Sequence, residues 1–182
     1  VLVPRPETEI LVQKVLEIFD KKKIRVLDLG TGSGAIGLSL AKERANWEVV
    51  CSDLSYEALK VTSKNMTRNA LDVSLVNSNW SSAFKNEYFD VIVSNPPYIN
   101  PSDPRVYSDG LKFEPKQALI SDSQGLYDIE RIVKETSEIL NNAGYLFIEH
   151  GYDQSDLVVS IFERCGFSQI RTFKDLNGDD RV

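Results

Sequence analysis

The stretch Arg25-Val26-Leu27-Asp28-Leu29-Gly30-Thr31-Gly32-Ser33-Gly34-Ala35-Ile36-Gly37 decides how this chain is read. Its first five residues form a short, nearly continuous apolar run, the pattern of a strand buried on both faces. Glycines stand at 30, 32, 34 and 37, and residues 35–44 return to helical spacing. Glycine lets the backbone turn without a Cβ in the way, and the helix that follows offers unpaired N–H groups at its start. Strand, glycine turn and helix in that order predict a ligand site at the carboxyl end of the strand.

The same rhythm extends outward. Residues 47–53 read as a second strand and 55–69 as a helix with Ser55 as its N-cap. Residues 73–76 and 89–95 read as the third and fourth strands, 125–141 as a helix and 144–150 as the fifth strand. A helix over 154–165 and a strand over 167–173 close the pattern. Upstream, residues 1–6 read as an extended loop. Residues 7–19 read as a helix with Leu11, Val15 and Ile18 on its apolar stripe, ended by the solvated run Lys21-Lys22-Lys23. Residues 96–123 form a long loop rich in Pro and Asp, in which Asp103, Asp109 and Asp122 read as turn formers. Strands alternating with helices predict an α/β domain, a mostly parallel twisted sheet of Rossmann type with helices on both faces.

Composition narrows the function classes. The 182 residues suit one domain, and 21 basic against 27 acidic residues give a net charge of −6. Phosphate contacts supply much of the affinity for nucleic acid, so an acidic chain argues against that partner. Cys51, Cys165 and the single histidine, His150, fit no metal spacing, and no metal is expected. No apolar run reaches the roughly 20 residues of a membrane span. The cysteine usage suits a reducing compartment, so the expected location is cytoplasmic. The expected state is a monomer.

The turn Gly30-Thr31-Gly32-Ser33-Gly34 and Asp53, about 20 residues on, make a nucleotide site in which Asp53 accepts both ribose hydroxyls. Gly32, Gly34 and Gly37 with Asp53 would serve a nicotinamide dinucleotide equally well. Asp28 separates the two. A carboxylate there suits the cationic methionine moiety of S-adenosylmethionine and repels a pyrophosphate.

Directly after the fourth strand stands Asn95-Pro96-Pro97-Tyr98. The first and fourth strands are neighbours where strand order reverses in such sheets, which puts Asn95 beside the glycine turn. An amide nitrogen is a poor nucleophile, so its methylation depends on position. The Asn95 side-chain carbonyl and the Pro96 backbone carbonyl can accept its two N–H bonds. Both residues precede a proline and are held extended, so these carbonyls are presented rather than paired in a sheet. Tyr98 offers a flat face to the planar group. A plain Pro-Pro turn would read the same alone; coupled to the glycine turn and Asp53 it reads as a catalytic loop.

With these motifs the chain resembles the HemK/PrmC family, the glutamine methyltransferases that modify peptide-chain release factors. The resemblance runs over essentially the whole chain. It is carried by Val3-Pro4-Arg5-Pro6-Glu7-Thr8-Glu9, the turn from Leu27 to Gly32, Ser94-Asn95-Pro96-Pro97-Tyr98-Ile99, Phe113-Glu114-Pro115, Glu149-His150-Gly151 with Gln154, and Asp180-Arg181-Val182. It implies a class I S-adenosylmethionine-dependent methyltransferase that leaves S-adenosylhomocysteine and modifies the side-chain nitrogen of a glutamine in a Gly-Gly-Gln loop. Trp80 reads as core or, as its place after the third strand favours, as a platform for adenine, and Asn79 stands where the family often has an acidic residue against the adenine amino group. Arg5 reads equally as a loop anchor or a substrate contact, and Glu114 as lining the acceptor site or as a surface group. His150 reads as structural. An adenine-N6 methyltransferase on nucleic acid is the alternative, since the Asn-Pro-Pro-Tyr tetrad is shared with such enzymes. A nicotinamide-dependent reductase and a non-enzymatic cofactor-binding subunit fit the tetrad less well.

Residues 1–182 are expected to be one catalytic domain, 1–23 a leading loop and helix and 24–182 the core, without the helical N-terminal domain that grips the release factor in bacterial relatives. The Val1 start, and a last antiparallel strand that would begin at Arg181-Val182, predict a longer protein.

Overall fold

The computed structural model describes residues 1–20, 23–85, 88–107 and 113–182, so the predicted roles of Lys21, Lys22 and Asp109 lie outside the described residues. Five parallel strands make one sheet: β1 (Arg25–Leu29), β2 (Glu48–Asp53), β3 (Ser74–Asn77), β4 (Phe89–Ser94) and β5 (Leu140–Ile148), in the order β3-β2-β1-β4-β5. The chain winds outward from β1 through β2 to β3, then returns to β4 on the other side of β1. The strand order therefore reverses between β1 and β4, as the sequence predicts.

The apolar runs of the strands are buried on both faces. Val26, Val49, Cys51, Val91, Val93 and Phe147 belong to one core with α1 (Thr8–Ile18) and α2 (Ala35–Glu43). Leu27, Leu29, Val50, Phe89, Ile92 and Ile148 belong to the other with α5 (Tyr127–Thr136) and α6 (Ser155–Arg164). Alternate apolar residues of these strands thus feed opposite cores, which is why the strands read as largely apolar runs rather than as strict alternation. α3 (Tyr56–Arg68) lies over β2 and β3, and its Ser55 cap forms as predicted, the hydroxyl accepting from Ala58 N at 3.2 Å.

The predicted helix over 125–141 is shorter. α4 (Asp122–Gly125) is a single turn in which Ser123 and Gln124 adopt left-handed backbone, α5 ends at Thr136, and β5 begins at Leu140 rather than 144. β5 starts early through an irregularity. Its register against β4 shifts between Phe89–Leu140 and Val91–Tyr145, and the Asn141 amide donates to Asp90 Oδ1 at 2.7 Å across the shift. Local periodicity cannot signal such a bulge.

The predicted strand over 167–173 does not form. Gln169 sits at φ +56°, incompatible with an extended run, and only Phe173 pairs, with Arg181 and Val182. Residues 174 and 180 make a single antiparallel bridge, and His150 N donates to Arg181 O at 2.9 Å. The end of the chain therefore lies beside the end of β5.

Candidate active site

The glycine turn closes over Asp28. This carboxylate is fully buried near the carboxyl end of β1. Its Oδ2 accepts from the Thr31 hydroxyl at 2.6 Å and from Gly37 N at 2.9 Å, while Oδ1 is buried without a hydrogen bond. Burial pushes its pKa up to about 6, against the pull of Thr31 and Gly37. Asp28 therefore anchors the turn from beneath it. Gly30, Gly32 and Gly34 all have positive φ, and Gly34 opens α2 without a side-chain cap. Gly37 is needed for a different reason: a Cβ there would collide with Cys51 Sγ on β2.

α3 holds the turn from the far side, since the Thr62 hydroxyl donates to Gly32 O at 3.0 Å and the Asn65 amide to Ser33 O at 2.8 Å. Asp53, at the end of β2, accepts from Gly32 N at 2.9 Å through Oδ2 and from Ser55 N at 2.8 Å through Oδ1. Each oxygen has a lone pair left over, because a carboxylate offers about four acceptor sites. The ring of Trp80 lies against Gly30, where Cζ3 would be 3.1 Å from an added Cβ, and also packs on the α5–α6 core. Asn79 is exposed.

The neighbouring strand brings the tetrad alongside. Leu29 pairs with Ser94, whose hydroxyl donates to Leu29 O at 2.8 Å, so Gly30 and Asn95 leave adjacent strands together. Among the described residues neither the Asn95 side-chain oxygen nor the Pro96 carbonyl accepts a hydrogen bond. Both face the need stated by their sequence: two acceptors not used by the sheet.

Asn95, Pro96 and Tyr98 line a cavity of about 780 Å³, together with Arg5, Glu7, Asp103, Glu149, Asp153, Gln154 and Arg181. Pro97 and Glu114 do not line it. Arg5 does, and it pairs with Glu114 across the cavity rim, so these two residues answer each other first. The long loop is pinned by the Ile99–Ile120 bridge and by Gln154, whose amide donates to Tyr98 O at 3.0 Å and Gln124 O at 3.1 Å. Gly125 permits this approach, since a Cβ would strike Tyr98 O.

Glu149, which the sequence marks only as part of the Glu149-His150-Gly151 segment, is central in the structure. It is 1% exposed, accepts from the Tyr98 hydroxyl at 3.1 Å through Oε1, and leaves Oε2 buried and unpaired. Burial raises its pKa, opposed by Thr8, Tyr98 and Arg181. An acidic residue closing an apolar strand, Tyr145-Leu146-Phe147-Ile148-Glu149, was the available signal. Arg181 reaches the cavity because Asp175 folds the last turn, accepting from Asn177 N, Asp179 N and Arg181 Nε at 2.9–3.0 Å. His150 is buried, with Nδ1 2.8 Å from Gly151 O, and burial lowers its pKa. It lines a separate cavity of about 430 Å³ between β5 and residues 167–173 and takes no part in the constellation above. Cys51 and Cys165 are free thiols. Among the described residues no group of three or more His, Cys, Asp or Glu could hold a metal, and no helix is long and apolar enough to cross a membrane.

Comparison with known proteins agrees with this frame. The release factor glutamine methyltransferases of Salmonella typhimurium and of Buchnera aphidicola subsp. Schizaphis graminum are 41% and 45% identical to the chain over its whole length. The chain spans 66% of the length of each, a little under two thirds. The resemblance read from the sequence is thereby borne out. A ribosomal protein L11 methylase from Lactobacillus delbrueckii subsp. bulgaricus shares the fold, with a TM-score of 0.71 at 20% identity over 98% of this chain and 77% of that one. The profile of the methyltransferase small domain matches residues 6–108, which hold both the glycine turn and the tetrad, and the chain belongs to that family.

Proposed function

We propose that the chain transfers a methyl group from S-adenosylmethionine to the side-chain nitrogen of a glutamine in the Gly-Gly-Gln loop of a peptide-chain release factor. The observation that carries this reading is the pair of unpaired carbonyls, Asn95 Oδ1 and Pro96 O, beside the glycine turn.

The residues present fit S-adenosylmethionine. Gly30 to Gly34 let a ligand approach the start of α2, Asp53 retains lone pairs for two ribose hydroxyls, and Trp80 offers a ring beside Gly30. Asp28, one layer below, contributes negative charge toward the cationic methionine end. When bound, the cofactor supplies a methyl group on a sulfonium, an excellent leaving group. The protein's share is placement. Asn95 Oδ1 and Pro96 O each accept one amide N–H, which fixes the nitrogen in line and stabilises the positive charge that grows on it. Tyr98 bounds the planar group on one side, and Arg5, held by Glu114, edges the mouth. The surplus proton leaves the methylated nitrogen to solvent.

The activity for which the relatives are named supports this substrate, and a role in translation termination would place the protein in the cytoplasm. Adenine methylation on nucleic acid is less well supported, since Glu7, Asp103, Glu149 and Asp153 outnumber Arg5 and Arg181 around the cavity. Incubation of the protein with labelled S-adenosylmethionine and purified release factors, followed by peptide mapping, tests the reading. Label on the Gly-Gly-Gln glutamine is expected. Label on a different side chain, or label only on nucleic acid offered in a parallel incubation, would overturn it.

A further inference from the structure

The Asn95 amide has two ends of nearly equal size and opposite hydrogen-bonding sense. Only with Oδ1 toward the acceptor nitrogen can it receive an N–H; turned over, it meets a donor with a donor. The group behind it must decide. Asn95 Nδ2 donates to Thr8 Oγ1 at 3.1 Å, and Thr8, the first residue of α1, is buried. A hydroxyl both donates and accepts, so alone it would hold the amide either way round. Its sense depends on where its own proton goes.

Glu149 supplies the answer. It is buried at the end of β5, with Oε1 occupied by the Tyr98 hydroxyl and Oε2 carrying no hydrogen bond. Thr8 acts on this same carboxyl, drawing its pKa down against burial. In either protonation state a carboxyl keeps an oxygen that can accept from a hydroxyl. A buried carboxyl is costly to keep, and an apolar residue of similar size would pack as well, so a role in packing alone does not explain it.

We propose that Thr8 and Glu149 are positioning residues for methyl transfer: Thr8 gives its hydroxyl proton to the open Glu149 oxygen, is thereby held as an acceptor for Asn95 Nδ2, and so turns Asn95 Oδ1 toward the acceptor nitrogen. The inference rests on the reading of Asn95 as the holder of the substrate amide. It assigns to α1, outside the sheet, an inner link of a relay that runs Asn95–Thr8–Glu149–Tyr98.

The test uses Thr8→Val, which keeps shape and loses the hydroxyl, Thr8→Ser, which keeps the hydroxyl, and Glu149→Gln. The Gln amide would donate to Thr8 and reverse the relay. Two measurements are made on the protein. The first is the NMR signal pair of the Asn95 side-chain amide, assigned by its loss in Asn95→Ala, with its rate of solvent exchange. T8V and E149Q are expected to shift the pair and speed its exchange at least tenfold, and T8S to keep it near wild type. The second is turnover on a release factor. T8V and E149Q should lower kcat about 10²-fold, the scale of a misplaced reacting group, with the KM for S-adenosylmethionine within about threefold and T8S recovering most of the loss. Unchanged Asn95 signals in T8V would overturn the proposal, as would loss of kcat in T8S equal to that in T8V. If E149Q fails to fold, as circular dichroism would reveal, T8V against T8S decides. If the wild-type protein methylates no glutamine, the proposed reaction fails, and the NMR comparison still decides the positioning.

Discussion

Asp28 is the one buried carboxylate directly under the glycine turn, and its ionisation should leave a measurable mark on stability. Its carboxyl moves from an ordinary 3.8 to about 6, which disfavours the ionised form in the folded state by on the order of 3 kcal/mol. A raised carboxyl pKa stabilises the fold below its unfolded value, and that contribution is lost as pH rises through the folded value. Asp28 should therefore weaken the fold progressively between about pH 4 and pH 7. Replacing it by Asn removes the titration and keeps one oxygen for the Thr31 hydroxyl and Gly37 N–H. The absolute change at pH 7 is the net of two terms: relief of the buried charge, and a new amide N–H at the unpaired Oδ1 position costing about 1–3 kcal/mol. The pH dependence of the difference is free of that second term. Between pH 5.5 and pH 8, above the isoelectric point near 4.9, the stability of D28N relative to wild type should rise by about 0.8 kcal/mol. Urea unfolding of both proteins at four or five pH values measures it. A difference that stays flat over this range, or falls, would refute the placement of a raised carboxyl under the turn.

Asn95→Ala should slow methyl transfer about 10²–10³-fold while leaving affinity for S-adenosylhomocysteine nearly unchanged, because the interaction matters mostly in the transition state; near-normal turnover would remove Asn95 from the mechanism. Asp53→Ala should weaken S-adenosylhomocysteine binding by about 1.5–3 kcal/mol in calorimetry, the scale of hydrogen bonds to a charged group. Binding of NADH instead of S-adenosylhomocysteine by the unaltered protein would return the glycine turn to the nicotinamide reading. Gly37→Ala should destabilise the fold by about 1–3 kcal/mol in spite of the better helix propensity of alanine, since its Cβ meets Cys51 Sγ and lies 3.0 Å from Asp28 Oδ2. A thermal melt at or above that of the wild type would show that α2 can move off the sheet.

The order of strands and helices, the glycine turn and the tetrad could be read from the sequence by itself because each depends on residues close along the chain. A short, nearly continuous apolar run, a glycine where φ must be positive, a proline that holds its predecessor extended: all act within one element or one turn. Even the meeting of Gly30 with Asn95 was legible, since a reversal of strand order leaves the first and fourth strands as neighbours. What only the tertiary structure decided depends on distant segments docking together. Arg5 meets Glu114 across 109 positions, Asn95 meets Thr8 across 87, and Tyr98 meets Glu149 across 51. No periodicity relates such pairs, so the sequence left Arg5 and Glu114 between two roles and assigned none to Thr8 or Glu149. The misread segment at 167–173 has the same cause. Its composition suits a strand, but strands are made by partners, and Gln169 turns this one out of the extended conformation before a ladder can form. Asp28 shows both levels at once. Its position before the glycines marked a ligand site, whereas its burial, and hence its pKa and its place beneath the turn, came from α2 and the sheet closing around it.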